Sequence, residues 1–436
     1  MRQPLGQMLV EARVITSQDL KVALEAQRQA PAPLGVTLVQ LGIATEEKIL
    51  PVLAQQLNQI GVSLVPPKGK GPQRVTVAEA LEELISQAVE EGATDIHFEP
   101  AVGGVKIRVR IDGILHEMAV PAVIQAQYAA LVSRVKILCN LDIAEKRLPQ
   151  DGRTSAKVGD REYDLRVSVL PSRYGESVVV RILQTELPLG LSNLGLDEKA
   201  LEILTQILQR HSGLILVTGP TGSGKTTTLY ACLDKLNNST RKIVTVEDPI
   251  EYTLAGVIQM QVKPSIELTF GRYLRSVLRH DPNILMVGEI RDTETAEVAI
   301  RMALTGHLVL STLHTRDAAS SITRLLEMGI EPYLVASSLS CVIAQRLVRT
   351  ICPRCQGRRC VGCVGLGLKG RTGIFEFLVV DDEVRPLILR HASAAEIRES
   401  ARSRGMRTLY EDGMNKVRAG ITTQEELSRV IHSDEL

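Results

Sequence analysis

An α/β fold built on a mostly parallel sheet is what this 436-residue sequence predicts, with an α+β region and a helical repeat ahead of it. Three observations carry that reading. Short apolar runs at 214–218, 243–246, 284–287 and 308–313 alternate with stretches of helical periodicity, the pattern of buried parallel strands covered by helices. The first run leads straight into Gly219-Pro220-Thr221-Gly222-Ser223-Gly224-Lys225-Thr226, and a helix-compatible stretch, 227–236, follows. Upstream, between 75 and 183, the pattern is a helix (77–91) and then strand-like runs at 105–110, 163–169 and 177–182, with Asp112-Gly113 as a hairpin turn.

The chain opens on an internal repeat. Pro4-Leu5-Gly6 recurs as Pro33-Leu34-Gly35, and the same 29-residue offset aligns Leu9-Val10 with Leu38-Val39, Thr16 with Thr45, Leu24 with Leu53 and Gln27 with Gln56. Apolar positions at helical spacing after each Thr predict two small helical hairpins within 1–64, with the Thr as N-cap. Such a unit is a packing module, or a docking or ligand-sensing one. A Pro/Gly/Lys-rich stretch, 65–75, reads as a linker to an α+β domain at 76–185. A connector at 187–196 follows the α+β domain, and the nucleotide-handling domain spans 186–436. The sheet alternation runs to about residue 345; a cysteine element (350–366) and a helical tail (380–436) close the chain.

Composition narrows the function. Charge is balanced, 51 basic against 50 acidic residues, so no overall field draws the chain to nucleic acid or anionic lipid. Aromatics make up 3% and Trp is absent, which leaves few platforms for stacking bases. No uninterrupted apolar run is long enough to span a bilayer, and no signal-peptide core precedes the repeat. A cytoplasmic protein that meets membrane only through partners is expected. Seven cysteines in that setting point to a metal or buried thiols rather than disulfides.

The glycine-rich segment has the spacing of a P-loop in the right strand–loop–helix context. Gly219, Pro220, Thr221, Gly222, Ser223, Gly224, Lys225, Thr226 and Thr227 would cradle the phosphates of a nucleoside triphosphate through backbone N–H groups and a helix N-terminus. Lys225 would reach the β- and γ-phosphates, and the Thr226 hydroxyl would ligate Mg²⁺. Glu289, in Leu285-Met286-Val287-Gly288-Glu289-Ile290-Arg291-Asp292, ends an apolar strand and is the candidate for orienting or deprotonating the attacking water. Many P-loop enzymes carry Asp where Gly288 stands, so the metal contact is expected to be partly water-mediated. A second acidic group, Glu247-Asp248-Pro249-Ile250-Glu251, follows another strand, where Pro249 keeps Asp248 extended; a Mg²⁺–water role is expected of it. His307 and His314 bracket the next strand, either as packing and capping residues or as reporters of the γ-phosphate.

Cys352-Pro353-Arg354-Cys355 and Cys360-Val361-Gly362-Cys363 form two Cys-x-x-Cys pairs, four thiolates that suit tetrahedral Zn²⁺. An iron–sulfur cluster or a redox pair is the alternative, but no electron-handling motif accompanies them. Cys139, Cys232 and Cys341 lie in apolar surroundings and read as packing residues.

Taken in order, the P-loop, Val244-Thr245-Val246-Glu247-Asp248-Pro249-Ile250-Glu251-Tyr252, Met286-Val287-Gly288-Glu289-Ile290-Arg291-Asp292 and the histidine segment resemble the ATPases of type II secretion and type IV pilus assembly. The resemblance extends to Ala93-Thr94-Asp95-Ile96-His97-Phe98-Glu99-Pro100 and Leu148-Pro149-Gln150-Asp151-Gly152-Arg153, and so covers nearly the whole chain. It implies a RecA-like P-loop ATPase domain preceded by a PAS-like α+β domain and a small helical N-terminal domain, six copies of which form a ring. It places the family's acidic box on Glu247, Asp248 and Glu251, its Walker B glutamate on Glu289 and its histidine box on His307 and His314. It also places γ-phosphate arginines on Arg153 and Arg166, with Arg181 as a further candidate. Assembly-type members carry the four-cysteine element, here with a shortened spacing between pairs.

The N-terminal repeat resembles a module that binds cyclic di-GMP in some members. Pro4 and Pro33 replace the basic residue before each Leu-Gly pair, and Arg13 replaces a glycine that Gly42 keeps; docking to an inner-membrane component is the reading adopted. The implied partners are an inner-membrane secretion or pilus platform and its cytoplasmic docking proteins. The implied function is a Mg²⁺-dependent ATPase motor for type II secretion. That branch is preferred because Glu247 to Tyr252 and Ala344-Gln345-Arg346-Leu347-Val348-Arg349 read closer to it than to pilus assembly. A nucleic-acid translocase or a nucleotide-gated adaptor are the competing classes.

Overall fold

The computed structural model describes residues 5–12, 14–29, 34, 37–38, 41, 43–44, 52, 75–183, 190–363 and 365–431. The chain divides into two units, Met1–Val75 and Thr76–Leu436. In the first, α1 (Leu5–Glu11) and α2 (Ser17–Gln29) bury Met8, Leu9, Ile15 and Ala23 in a small cluster with Leu38, Ala44 and Val52. Thr16 precedes α2 and exchanges bonds with Asp19: its hydroxyl accepts from the Asp19 N–H at 3.2 Å, and its N–H donates to the carboxylate at 2.8 Å. Pro4, Arg13, Pro33, Gly35, Val39, Gly42, Thr45, Leu53 and Gln56, and linker positions 65–74, lie outside the described residues.

The second unit opens with α3 (Val77–Glu90), started by a capping box between Thr76 and Glu79. A six-stranded antiparallel sheet follows: β1 (Ala93–Ala101), β2 (Gly104–Ile111), β3 (Ile114–Met118), β4 (Gln150–Val158), β5 (Arg161–Ser172) and β6 (Gly175–Leu183), in the order β3-β2-β1-β6-β5-β4. Two helices, α4 (Ala122–Ala126) and α5 (Tyr128–Leu138), connect β3 to β4. Ile96, Phe98, Ile107, Val109, Leu165, Val167 and Val180 share a core with Leu81, Leu84, Leu131 and Val135 of the helices. Strand alternation then sends the intervening residues to the other face. There the register sets Asp95 opposite Arg181, Arg181 opposite Arg166, and Arg166 opposite Arg153.

After α6 (Glu198–Leu208) comes a seven-stranded sheet: β7 (Gly213–Thr218), β8 (Ile243–Glu247), β9 (Ile258–Gln261), β10 (Ile284–Val287), β11 (Leu308–Leu313), β12 (Leu339–Ile351) and β13 (Leu368–Val379). Its order is β13-β12-β7-β11-β10-β8-β9, and only β13 runs antiparallel to its neighbour. Between the strands lie α7 (Lys225–Leu236), α8 (Phe270–Val277), α9 (Thr293–Leu304), α10 (Ala318–Glu327) and α11 (Pro332–Ser338). β7, β8, β10 and β11 are buried along their whole length because both faces are covered. Leu214, Leu216, Val244 and Leu285 enter one core, while Ile215, Val217, Ile243 and Met286 enter the other.

The sheet runs past the alternation read from the sequence. β12 continues to Ile351 and β13 returns beside it, so the cysteine element caps a long antiparallel hairpin. Four helices follow: α12 (Val384–Leu389), α13 (Ala394–Ser403), α14 (Leu409–Arg418) and α15 (Gln424–Val430). They supply buried partners for the hairpin's polar groups: Glu426 accepts from Arg349 Nη2 at 2.7 Å, and Asp412 accepts the Phe375 N–H at 3.0 Å. Part of the predicted connector is a short 3-10 turn, Leu191–Leu194, with both leucines buried. Among the described residues no helix is long and apolar enough to cross a membrane.

Lys136 of α5 packs against the antiparallel sheet: it is 1% exposed, and its Nζ lies 2.6 Å from Glu176 Oε1 of β6 and 2.6 Å from the Glu145 carbonyl. Glu176→Ala would leave that ammonium buried without its counter-charge. We expect a loss of about 3 kcal/mol of stability, read as an earlier thermal unfolding transition.

Candidate nucleotide-binding site

The C-terminal ends of β7, β8 and β10 and the segment after β11 open on one cavity of about 410 Å³, where open α/β sheets bind ligands. Residues 221–227 line it, together with Glu247, Asp248, Glu251, Tyr252, Glu289, Thr312, His314, Leu347 and Arg371. The loop's conformation depends on its glycines. Gly219 has φ +152°, and a Cβ there would stand 2.5 Å from the Gln345 carbonyl of β12. Gly224 (φ +87°) ends the loop, and α7 begins at Lys225 with no side-chain cap, so its first N–H groups are free for an anion.

These groups fit a triphosphate. Ser223 Oγ is buried without a partner, which is a donor aimed at nothing in the protein itself. Lys225 is 8% exposed and donates to the carbonyls of Gly219 (2.9 Å) and Pro220 (3.0 Å). Burial pulls its ammonium down to about 8, opposed by Glu289 and reinforced by Arg346.

Glu289 stands just beyond β10. Arg291 Nη2 lies 2.6 Å from one of its oxygens and His314 Nε2 3.5 Å from the other. Gly288 sits close to β8: a Cβ would come 3.3 Å from the Val246 carbonyl and 3.4 Å from Glu247 Cα, a tight fit against that strand's backbone. Glu247 is 3% exposed and tightly held. It accepts from Thr245 Oγ1 at 2.6 Å, from Gln259 Nε2 at 3.1 Å and from the Tyr230 hydroxyl. Three of a carboxylate's roughly four lone-pair directions are thus used, which leaves mainly its charge to act on the cavity. Tyr230 also accepts the Glu251 N–H at 3.3 Å, tying the acidic segment together. Asp248 is exposed and precedes Pro249 through a cis peptide bond.

The three arginines share a different concavity, of about 400 Å³, on the outer face of the antiparallel sheet. Arg166 reaches across to the nucleotide side, with Nη2 3.2 Å from the Ile250 carbonyl and 3.3 Å from a Glu251 oxygen. Arg181 Nε donates to Asp95 at 2.9 Å, and Arg153 is exposed beside Arg166. The histidines are separated: His314 lines the nucleotide cavity, whereas His307 lies before β11, at the strand's other end, its Nδ1 3.0 Å from the Met302 carbonyl. Arg371, Tyr230, Gln345 and Leu347 went unnoticed as site residues in the sequence. Tyr230 could have been found in the helix that opens at Lys225, its hydroxyl meeting Glu247 of β8; nothing local marks Arg371, far along the chain on β13.

Cys352, Cys355, Cys360 and Cys363 gather their sulfurs within 4.8 Å of one another. The separations for three pairs are 3.9, 3.8 and 3.7 Å. Four thiolates at about 2.3 Å from one tetrahedral zinc ion stand about 3.8 Å apart, so the set fits a single ion and is too tight to enclose a cluster. N–H groups of Cys360 and Gly367 donate to the Cys363 sulfur at 3.2 Å each, and with burial opposing them they bring that thiol down to about 6.

Fold and site together define an α/β ATPase fold of the P-loop type. The chain belongs to the type II/IV secretion system protein family, which matches residues 72–429. It is 50% identical over 363 residues to the type II secretion system protein HxcR of Pseudomonas aeruginosa, covering 81% of this chain and 77% of that protein. It is 46% identical over 380 residues to the type II secretion system ATPase E of Vibrio cholerae, covering 81% and 75%. Among solved structures, the pilus retraction motor PilT with bound ADP is similar at 30% identity and a TM-score of 0.58, over 82% of this chain and 98% of that one.

Arrival of phosphates beside Lys225 should restore its charge. At pH 8, where burial leaves this ammonium about half protonated, ATP binding is expected to take up about half a proton, and at pH 7 far less. Calorimetry in buffers of different ionisation enthalpy measures this; identical heats at pH 8 would contradict it.

Proposed function

We propose that this chain is a Mg²⁺-dependent ATPase that works as a homo-hexameric ring and drives pseudopilus assembly and protein export in type II secretion. The observation that carries the reading is the shared cavity: Lys225 and the uncapped start of α7 face the same space as Glu289. Lys225, Ser223 and the loop N–H groups bind and orient the triphosphate, and Thr226 would hold Mg²⁺, which neutralises phosphate charge. Glu289, kept in place by Arg291 and His314, orients the attacking water and accepts its proton. Glu247 and Asp248 add negative charge on the metal side. Arg166, with Arg153 and Arg181 behind it, moves from Glu251 towards the γ-phosphate when the antiparallel sheet closes on the cavity.

The secretion branch follows from the names of the relatives at 50% and 46% identity, against 30% for the retraction motor. In that setting the protein acts in the cytoplasm, bound to the inner membrane through docking proteins and a membrane platform. The four cysteines hold Zn²⁺ as a structural ion at the tip of the β12–β13 hairpin. Glu289→Gln should bind ATP yet lower turnover by at least about a hundredfold, and Lys225→Ala should lose both. Filter binding and phosphate release measure the two effects, and unchanged turnover in Glu289→Gln would reject the assignment. Elemental analysis should find about one zinc per chain, and less after Cys355→Ser.

A further inference from the structure

The antiparallel sheet meets the nucleotide domain at a second point that the proposed mechanism does not use. The β2–β3 turn is Asp112-Gly113, with φ +48° and +84°, a left-handed pair suited to a two-residue hairpin. Arg110 Nη1 braces the turn by donating to the Gly113 carbonyl at 3.1 Å. The Asp112 carboxylate points at β13. One oxygen accepts the Gly370 N–H at 2.7 Å, and the other lies 3.4 Å from Arg371 Nε. Arg371 in turn lines the nucleotide cavity beside Tyr252, Leu347 and Thr227.

We infer that Asp112 is a positioning residue for nucleotide binding: it holds the Arg371 guanidinium in the cavity and fastens β13 to the antiparallel sheet. That role for Asp112 rests on the ATPase reading above. A guanidinium free to swing has to be ordered each time a nucleotide binds; one already held by a carboxylate does not. Asp112 is well placed for that because its own backbone is fixed by the turn. Its side chain is 18% exposed and that of Arg371 36%, so the pair is partly screened and the effect is modest.

The variants Asp112→Asn and Asp112→Gly both suit a left-handed turn, so the hairpin survives while the charge is removed. Each is expected to raise the KM for ATP about threefold, with kcat within about twofold of wild type. In an Arg371→Gln background neither should raise KM further, because the residue through which Asp112 acts is already gone. A purely structural role would lower the thermal midpoint and leave this dependence on Arg371 absent. Unchanged KM, disagreement between the two variants, or a shift that persists in the Arg371→Gln background would each overturn the inference. Wild-type turnover left intact by Lys225→Ala would instead sink the ATPase reading, and this inference with it.

Discussion

The close passage of β12 beneath the phosphate loop is the constraint on which the nucleotide site depends. Gln345 supplies it twice. Its carbonyl occupies the space a side chain at position 219 would need, and its amide oxygen accepts from Thr228 Oγ1 at 2.7 Å, pinning the first turn of α7. Position 224 is crowded from the same side, since a Cβ there would stand 2.8 Å from Gln345 Nε2. The loop is therefore shaped as much by the strand behind it as by its own glycines. Arg346, next along β12, donates to the Arg316 carbonyl at 2.5 Å and so steadies the segment that carries His314.

Charge in the cavity is arranged by the same logic of borrowed support. Lys225 keeps a partly desolvated ammonium by leaning on loop carbonyls, which in its proposed role it would exchange for phosphate oxygens. Glu247 does the reverse: surrounded by donors, it stays in place while its charge remains. Glu289 lies between these extremes, 13% exposed at the side chain and contacted by a guanidinium and an imidazole, which leaves it room to meet water. Along one sheet edge these groups stand in the order cation after β7, available carboxylate after β10 and fixed anion at the end of β8.

Much of this could be read from the sequence, and the exceptions have physical causes. Apolar runs such as Leu214-Ile215-Leu216-Val217 announce strands buried on both faces, and the glycine spacing of 219–224 announces the loop. β4 gave no such signal, because Gln150–Val158 is an edge strand with no fully buried residue. β13 begins in Leu368-Lys369-Gly370-Arg371-Thr372, polar and glycine-broken, so its pairing with β12 is decided by tertiary contact rather than local pattern. His307 and His314 look equivalent as flanks of one apolar run, yet a six-residue strand puts its ends about 20 Å apart. Arg371 was invisible, and Asp112 legible only as a turn residue, for a related reason: each acquires its further meaning from a residue distant in the chain.

The hairpin that carries the cysteines also carries Gln345. The ladder continues from Cys352, whose N–H donates to the Gly367 carbonyl at 2.9 Å, down through Arg349 opposite Arg371 to Gln345 opposite Phe375. Seven steps along the chain take Cys352 to Gln345, about 24 Å of hydrogen-bonded ribbon. The thiols therefore stand at one end of a strand whose middle backs the glycine-rich loop. A single ribbon thus ties the cysteines to a cavity they do not line.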